Sequence, residues 1–369
     1  MNPKTHLQLL YLLPILLTLM GIFMIYEASS ITAARVYGDS LYFVKNQVIW
    51  FFLSLIVLAF FSKFDYHRLY QLALPLLIAN LVLLLLVFVP GLYTNVLGAK
   101  RWLRLGPITV QPSEMTKLSL IVYLSAWFSY KERDRFFAFL ILTGCIITLV
   151  MFQPNLGTAA LLGSSALFLY IISGAPLQHI LFLIPAATAA ALALALTSAY
   201  RMRRIMTFLN PSLDPQGIGY HISQVNTSLS LGGIFGTGFG ASKQKFQFLP
   251  EAHTDSIFAI IGENFGFIGG TLIIIVYITI LFLLYRNLFA AKDRLGFLLA
   301  AGVFFLFGVQ VLVNLGAMVQ LIPLTGIPLP FLSYGGSSLL TYYALFGIAI
   351  NIYLNHEQKR TSTARRNRR

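Results

Sequence analysis

The sequence predicts an all-α polytopic membrane protein of about ten transmembrane helices, with both termini cytoplasmic and a long folded outer loop between spans seven and eight. Three observations carry this. Hydrophobic residues make up 57% of the 369 and charged residues 10%, with a mean hydropathy of +0.78, which excludes a soluble fold around a buried core. Apolar runs of about 18–25 residues, each long enough to cross the hydrocarbon layer as a helix, recur ten times. The basic residues are shared unequally between the two sets of connections, which orients the spans.

The runs lie at about 7–28, 45–62, 70–90, 112–130, 136–153, 157–174, 176–198, 256–285, 296–322 and 337–354. The first has only Lys4 ahead of it and exceeds a signal-peptide core of roughly 7–15 residues, so it reads as a retained span. Gly174-Ala175-Pro176 alone separates the sixth run from the seventh, a tight turn. An even number of spans puts both ends of the chain on one side. With the termini inside, 15 of the 26 basic residues are cytoplasmic, including Arg365, Arg366, Arg368 and Arg369 of a basic tail over 355–369 that suits lipid headgroups. This bias accounts for much of the formal charge of +14, which in a soluble chain would suggest nucleic acid. Residues 1–369 therefore form a single membrane domain. Cys145, the one cysteine, has no intrachain disulfide partner.

The basic residues left outside are clustered. Lys100, Arg101 and Arg104 share one loop, Arg201, Arg203 and Arg204 open another, and Lys243 and Lys245 close it. Positive charge on the outer side calls for an anionic partner, either lipid headgroups or a bound anion such as pyrophosphate. The large loop over 199–255 is too long for a connector, and its apolar, glycine-rich composition predicts short helices and turns folded onto the bundle. Gly236-Thr237-Gly238-Phe239-Gly240 is no nucleotide loop, since no strand precedes it and no Gly-Lys-Ser/Thr follows. Turn chemistry explains the glycines, and close approach to a lipid pyrophosphate is the alternative.

Inside the spans, Glu114 and Lys117 lie three residues apart on one helix face and can pair, after Ser113 as N-cap. Glu263 lies deeper, as a paired structural acid or part of a cavity wall. The last outer loop, Pro323 to Ser338, holds three prolines and Gly335-Gly336, which predict a rigid re-entrant or turn segment with Ser337 or Ser338 capping the tenth span. The stretch Leu249-Pro250-Glu251-Ala252-His253-Thr254-Asp255-Ser256 crowds three ionisable side chains just before the eighth span. Either Thr254 or Asp255 caps that helix, or the carboxylate serves chemistry. The six histidines are scattered, with no His-Glu-x-x-His and no cysteine pair, so no zinc site is predicted. No cofactor is required; a divalent cation, Mg or Mn, bridging pyrophosphate to a carboxylate stays open.

In this order and spacing, the motifs resemble the SEDS family (shape, elongation, division and sporulation), closer to its division branch, FtsW, than to its elongation branch, RodA. The matching pieces are Tyr37-Gly38-Asp39 with Phe43-Val44-Lys45-Asn46-Gln47, Gly98-Ala99-Lys100-Arg101-Trp102-Leu103, Gln111-Pro112-Ser113-Glu114, and Asp214-Pro215 with Gly219-Tyr220-His221. They continue through Gln244-Lys245, Leu249 to Asp255, and Pro328-Leu329-Pro330-Phe331 to Ser338. Ser256 stands where the family usually carries Phe, and Glu263-Asn264 where it usually carries two acids. The resemblance implies a peptidoglycan glycosyltransferase of the bacterial cytoplasmic (inner) membrane. It implies lipid II, an undecaprenyl-pyrophosphate disaccharide-peptide, as substrate, with a class B penicillin-binding protein transpeptidase and other division or elongation proteins as partners. The family's essential aspartate falls on Asp255, which becomes the general base for the acceptor hydroxyl. Lys100, Arg101, Arg104, Glu114, Lys117, Arg203, Arg204, Lys245, Glu251, His253 and Ser337 form the expected substrate-binding set, its cations meeting the pyrophosphate. Two other readings remain at this point, a flippase for the lipid-linked precursor and a scaffold without catalysis.

Overall fold

The computed structural model describes residues 2–366 apart from 97–98, 107, 131–134, 197–198 and 241–248. Ten helices coincide with the ten apolar runs: α1 (Pro3–Tyr37), α2 (Tyr42–Lys63), α3 (Leu69–Leu86), α4 (Pro112–Ser129), α5 (Phe136–Phe152), α6 (Leu156–Ile172), α7 (Leu177–Leu196), α10 (Ile257–Ala290), α11 (Arg294–Met318) and α12 (Gly336–Arg366). Between α7 and α10 the large loop forms α8 (Ala199–Leu209), a 3-10 turn (Pro211–Leu213) and α9 (Ile218–Gly232). Among the described residues six helices or helix-turn units, α1, α2, α3 with its leading 3-10 turn, α10, α11 and the first part of α12, are long and apolar enough to cross a membrane; α5, α6 and α7 are shorter apolar helices.

Local chemistry sets the helix ends. Asn2 caps α1 by accepting the Lys4 N–H, Pro3 follows at the first position where its missing donor costs nothing, and Gly38 (φ 70°) stops the helix. Asp293 caps α11 through the Gly296 N–H. Successive connections alternate between two ends of the bundle. At one end, Tyr66 in the α2–α3 turn bonds Asp293 in the α10–α11 turn, Arg294 bonds the carbonyls of Phe128 and Ser173, and Asn351 bonds Ser62 O at 2.9 Å. At the other end, the α1–α2, α3–α4, α5–α6, α7–α10 and α11–α12 connections meet, and this end carries the site.

One element goes beyond the helical expectation. The α3–α4 connection folds as a three-stranded antiparallel meander, β1 (Tyr93–Val96), β2 (Ala99–Leu105) and β3 (Ile108–Val110). Leu103 points inward, 2% exposed, while its neighbour Arg104 is exposed, the alternation of a strand with one face packed.

The glycine motif has a packing reason. α10 breaks at Gly266 (φ 64°, ψ −161°), which releases backbone groups on either side. The segment after α9 takes them up: Thr237 and Gly238 donate to Glu263 O and Asn264 O at 2.9 and 3.1 Å, and Phe267 and Ile268 donate to Gly233 O and Ile234 O at 2.9 and 3.2 Å. A Cβ on Gly236 (φ 85°) would stand 2.1 Å from Asn264 O, so two backbones meet where only hydrogen fits.

The α11–α12 connection is re-entrant. Leu332 is fully buried against Gly21 of α1, Tyr277 donates to Pro330 O at 2.5 Å, and Phe331 (φ 68°) packs among Tyr342, Tyr343 and Phe346. Two expected caps are corrected. α12 starts at Gly336, so Ser337 lies in its first turn, and α4 starts at Pro112 behind Gln111, so Ser113 does too.

Candidate active site

The turn at 250–256 places one carboxylate where water is scarce. Asp255 is 8% exposed, and among the described residues no cation stands in ion-pair contact with it. Neither Thr254 nor Asp255 caps α10. Ser256 holds the N-cap position without a capping bond, its hydroxyl sharing a 2.7 Å bond with His221 Nε2 on α9. The Thr254 hydroxyl has one proton and three acceptors in range, Glu251 Oε2 at 2.8 Å, Glu251 O at 3.1 Å and Asp255 Oδ1 at 3.2 Å. The shortest wins, so the Asp255 carboxylate is weakly held from the side. Its main chain is held firmly: Asn314 Nδ2 donates to Asp255 O at 2.8 Å.

Burial first, and the Glu251 carboxylate second, push the Asp255 carboxyl up to about 7, against the opposing pull of its own amide, the Thr254 hydroxyl and the Arg204 charge. Burial also pushes His253 down, and it pushes His221 down to about 4, so both imidazoles are neutral near pH 7. The His253 ring packs against aromatic neighbours, whereas His221 is held by its bond to Ser256. His253 lies 4.4 Å from Phe43 and 5.5 Å from Tyr334, while the Tyr334 amide donates to His253 O at 2.9 Å. Gln47 of α2 clamps the same re-entrant segment, accepting from Gly335 N at 3.2 Å and donating to Ser333 O at 3.4 Å.

The expected binding residues divide into two groups. Lys100, Arg104 and Arg203 present exposed side chains, with Lys100 Nζ 4.6 Å above the Tyr93 ring. Arg204 is half-buried and donates to Leu324 O at 3.3 Å, which ties α8 to the re-entrant segment. Glu251 is exposed, with φ 49° in the left-handed region. Arg101 instead donates to Gln153 O at 2.9 Å and Pro154 O at 2.5 Å, pinning the sheet to the α5–α6 turn.

Glu114, Lys117 and Ser337, also in the expected substrate-binding set, make internal ties. Lys117 Nζ, with its side chain fully buried, bonds both Glu114 oxygens at 2.7 and 2.8 Å and Gln310 Oε1 at 2.8 Å. The Ser337 hydroxyl, 2% exposed, accepts the Gln111 N–H at 2.9 Å. Lys245 lies outside the described residues, as does Lys243. Among the described residues no three His, Cys, Asp or Glu side chains come together to hold a metal ion.

Gln310, Asn314 and His221 bond to this turn and the re-entrant segment without standing in the expected set. A signal existed for the first two: carboxamides four residues apart in an apolar run share a helix face, and polar groups within a span point to the bundle interior.

Residues 7–358 match the FtsW/RodA/SpoVE family, described as cell cycle proteins. The chain is 40% identical over 350 residues, 93% of this chain and 92% of the relative, to a probable peptidoglycan glycosyltransferase FtsW of Trichlorobacter lovleyi. Its fold is similar to a chain solved in work on how a peptidoglycan synthase complex coordinates polymerization and crosslinking, with a TM-score of 0.78, 26% identity, and 95% and 98% of the two chains covered. It is similar also to the rod shape determining protein RodA of Thermus thermophilus, with a TM-score of 0.69, 25% identity, and 95% and 97% covered.

Proposed function

The chain belongs to the FtsW/RodA/SpoVE family of cell cycle proteins, and on that premise we propose that Asp255 is the general base with which it polymerises lipid II into glycan strands. It is a peptidoglycan glycosyltransferase and a multi-pass protein of the bacterial inner membrane. The site-bearing end faces outward, as the bias of basic residues argues, so the lipid-linked sugar is met on the side where glycan is laid down.

In the reaction, the acceptor sugar's 4-hydroxyl oxygen attacks the anomeric carbon of the donor. Asp255 takes the hydroxyl proton as the new C–O bond forms. The bond to the lipid pyrophosphate breaks, and its electron pair leaves with the phosphate oxygen. Lys100, Arg104 and Arg203, exposed at this end, and Arg204 beside the turn offset the charge that develops there. A single displacement inverts the anomeric centre and needs no second nucleophilic carboxylate.

The observation that carries this reading is the Asp255 carboxyl, buried, without an ion-pair partner among the described residues and raised to about 7, where a base is both ionised and proton-hungry near neutral pH. The cross-linking partner is a class B penicillin-binding protein transpeptidase, a proposal supported by the likeness to a synthase complex. The deciding experiment is glycan-strand formation from purified lipid II by the reconstituted protein with its partner, native against Asp255→Asn at matched folding and partner binding. Loss of polymer in the variant is the expected result. Undiminished polymer overturns the assignment, and headgroup translocation without polymer from the native complex favours a flippase.

A further inference from the structure

Among the described residues Asp255 has no strong side-chain tether, so the aim of its carboxylate is set by its main chain, and the group that holds that main chain lies on another helix. Asn314 of α11 is 1% exposed, and its Nδ2 donates both of its protons, to Asp255 O and to Ile327 O, each at 2.8 Å. The two acceptors belong to different segments, the turn leading into α10 and the re-entrant loop. One amide nitrogen therefore locks the catalytic turn to the loop and both to α11.

The face of α11 that carries Asn314 is itself fixed one turn earlier. Gln310, fully buried, donates from Nε2 to Pro328 O at 2.7 Å, while its Oε1 accepts from Lys117 Nζ at 2.8 Å and from the Tyr342 hydroxyl at 2.6 Å. Lys117 is held in turn by both oxygens of Glu114. Residues four apart project from one side of a helix, so the pair on α4 sets the rotation of α11 through Gln310, and Asn314 delivers it to the turn. We propose that Asn314 is a positioning residue for the glycosyl transfer, aiming Asp255 by bridging its carbonyl to that of Ile327. This rests on Asp255 being the base.

The geometry specifies what a replacement loses. Leucine matches the size of asparagine approximately but offers no donor, leaving both buried carbonyls unpaired. The turn then loosens, the carboxylate drifts, and water reaches it. A misplacement of about 1 Å in a reacting group lowers a rate by about 100-fold. Substrate affinity is untouched, since Asn314 is enclosed by protein.

The test measures lipid II polymerisation by the full chain reconstituted with its partner, across pH, for native protein, Asn314→Leu, Asn314→Ser, Gln310→Leu and Asp255→Asn. Melting and partner co-purification confirm folding. The expected result for Asn314→Leu is a kcat lower by about 100-fold, a KM within about threefold of native, and an acid limb of the pH–rate profile moved to lower pH as the hydrated carboxylate ionises more readily. Gln310→Leu, which frees Pro328 O but not Asp255 O, gives a smaller loss with the acid limb in place. Should the leucine variant fail to fold, Asn314→Ser, whose hydroxyl is too short to bridge both carbonyls, carries the same expectation. A folded Asn314 variant with native kcat, or one that loses activity through KM with an unmoved acid limb, overturns the inference. The base assignment fails separately, if Asp255→Asn keeps polymerising.

Discussion

Two of the carboxylates buried in this protein, Glu114 and Asp255, are held on opposite terms. Glu114, 3% exposed, is matched by the Lys117 ammonium at 2.7 Å and 2.8 Å, and that ammonium is satisfied again by Gln310. Asp255, 8% exposed, has no ion-pair partner among the described residues and sits near a second carboxylate, Glu251, which raises it further. A paired buried acid holds helices together. An unpaired one is costly to ionise and is kept where its proton affinity is useful. Sequence alone lists both as acids near the ends of spans; the partners separate them.

The sharpest test of this contrast is Asp255→Asn. Loss of a general base lowers polymerisation by about 10²–10⁴-fold, while the fold does not weaken. The sign of the stability effect follows from the raised carboxyl. In the folded chain it titrates at about 7, against about 3.9 in the unfolded chain. The folded state thus keeps a proton that the unfolded state releases, and stability falls as pH rises from about 4 through about 7. Above pH 7 the ionised native carboxylate costs at most about 4 kcal/mol. Asp255→Asn therefore melts at or above the native temperature at pH 8 and close to it at pH 4. A variant that melts well below native protein at pH 8 breaks the comparison.

The second test works on the paired acid. Lys117→Met leaves Glu114 buried without its cation and destabilises the protein by about 3–5 kcal/mol, read as a lower melting temperature in detergent. Adding Glu114→Leu removes the stranded charge and restores most of the loss. If the folded double variant polymerises lipid II, the pair is architectural; if it folds and is inactive, the division between the two acids collapses.

Gly236→Ala is the third, with a smaller effect. It places a methyl group on Asn264 O in a backbone conformation that disfavours side chains. A cost of about 1–3 kcal/mol is expected, with the loop released from the break in α10 and more readily cut by protease. The smallest effect belongs to Glu251→Gln. Removing that charge lets Asp255 ionise more readily, so the acid limb of the pH–rate profile moves to lower pH by less than about one unit. A move to higher pH contradicts the role given to Glu251.

The helices were legible because apolar length is a local property: each of the ten runs became a helix, from α1 through α12. The β1–β3 meander was not. Its strands are four, seven and three residues long and of mixed polarity, and they exist through pairing with one another. Asp255 was legible as an acid at the start of a span and through the motif around it. Asn314 and Gln310 were passed over as polar residues in an apolar run, since their partners, Asp255 O, Ile327 O and Pro328 O, are main-chain atoms that no side-chain pattern announces. The tie made by Ser337 was hidden in the same way. Its hydroxyl is spent on the Gln111 amide, 226 residues away in sequence.

By itself the sequence determined that this chain fills a membrane with helices, shares its basic residues unequally between the connections, and sets Asp255 ahead of α10, because hydropathy, charge and motif order are written residue by residue. The tertiary structure alone decided which acid is paired, which arginine is bound to backbone and which carboxamide holds the turn ahead of α10. Those outcomes depend on distances between segments far apart in the chain, and the strength of a charge or hydrogen bond in a buried site is set by what stands within about 3 Å of it.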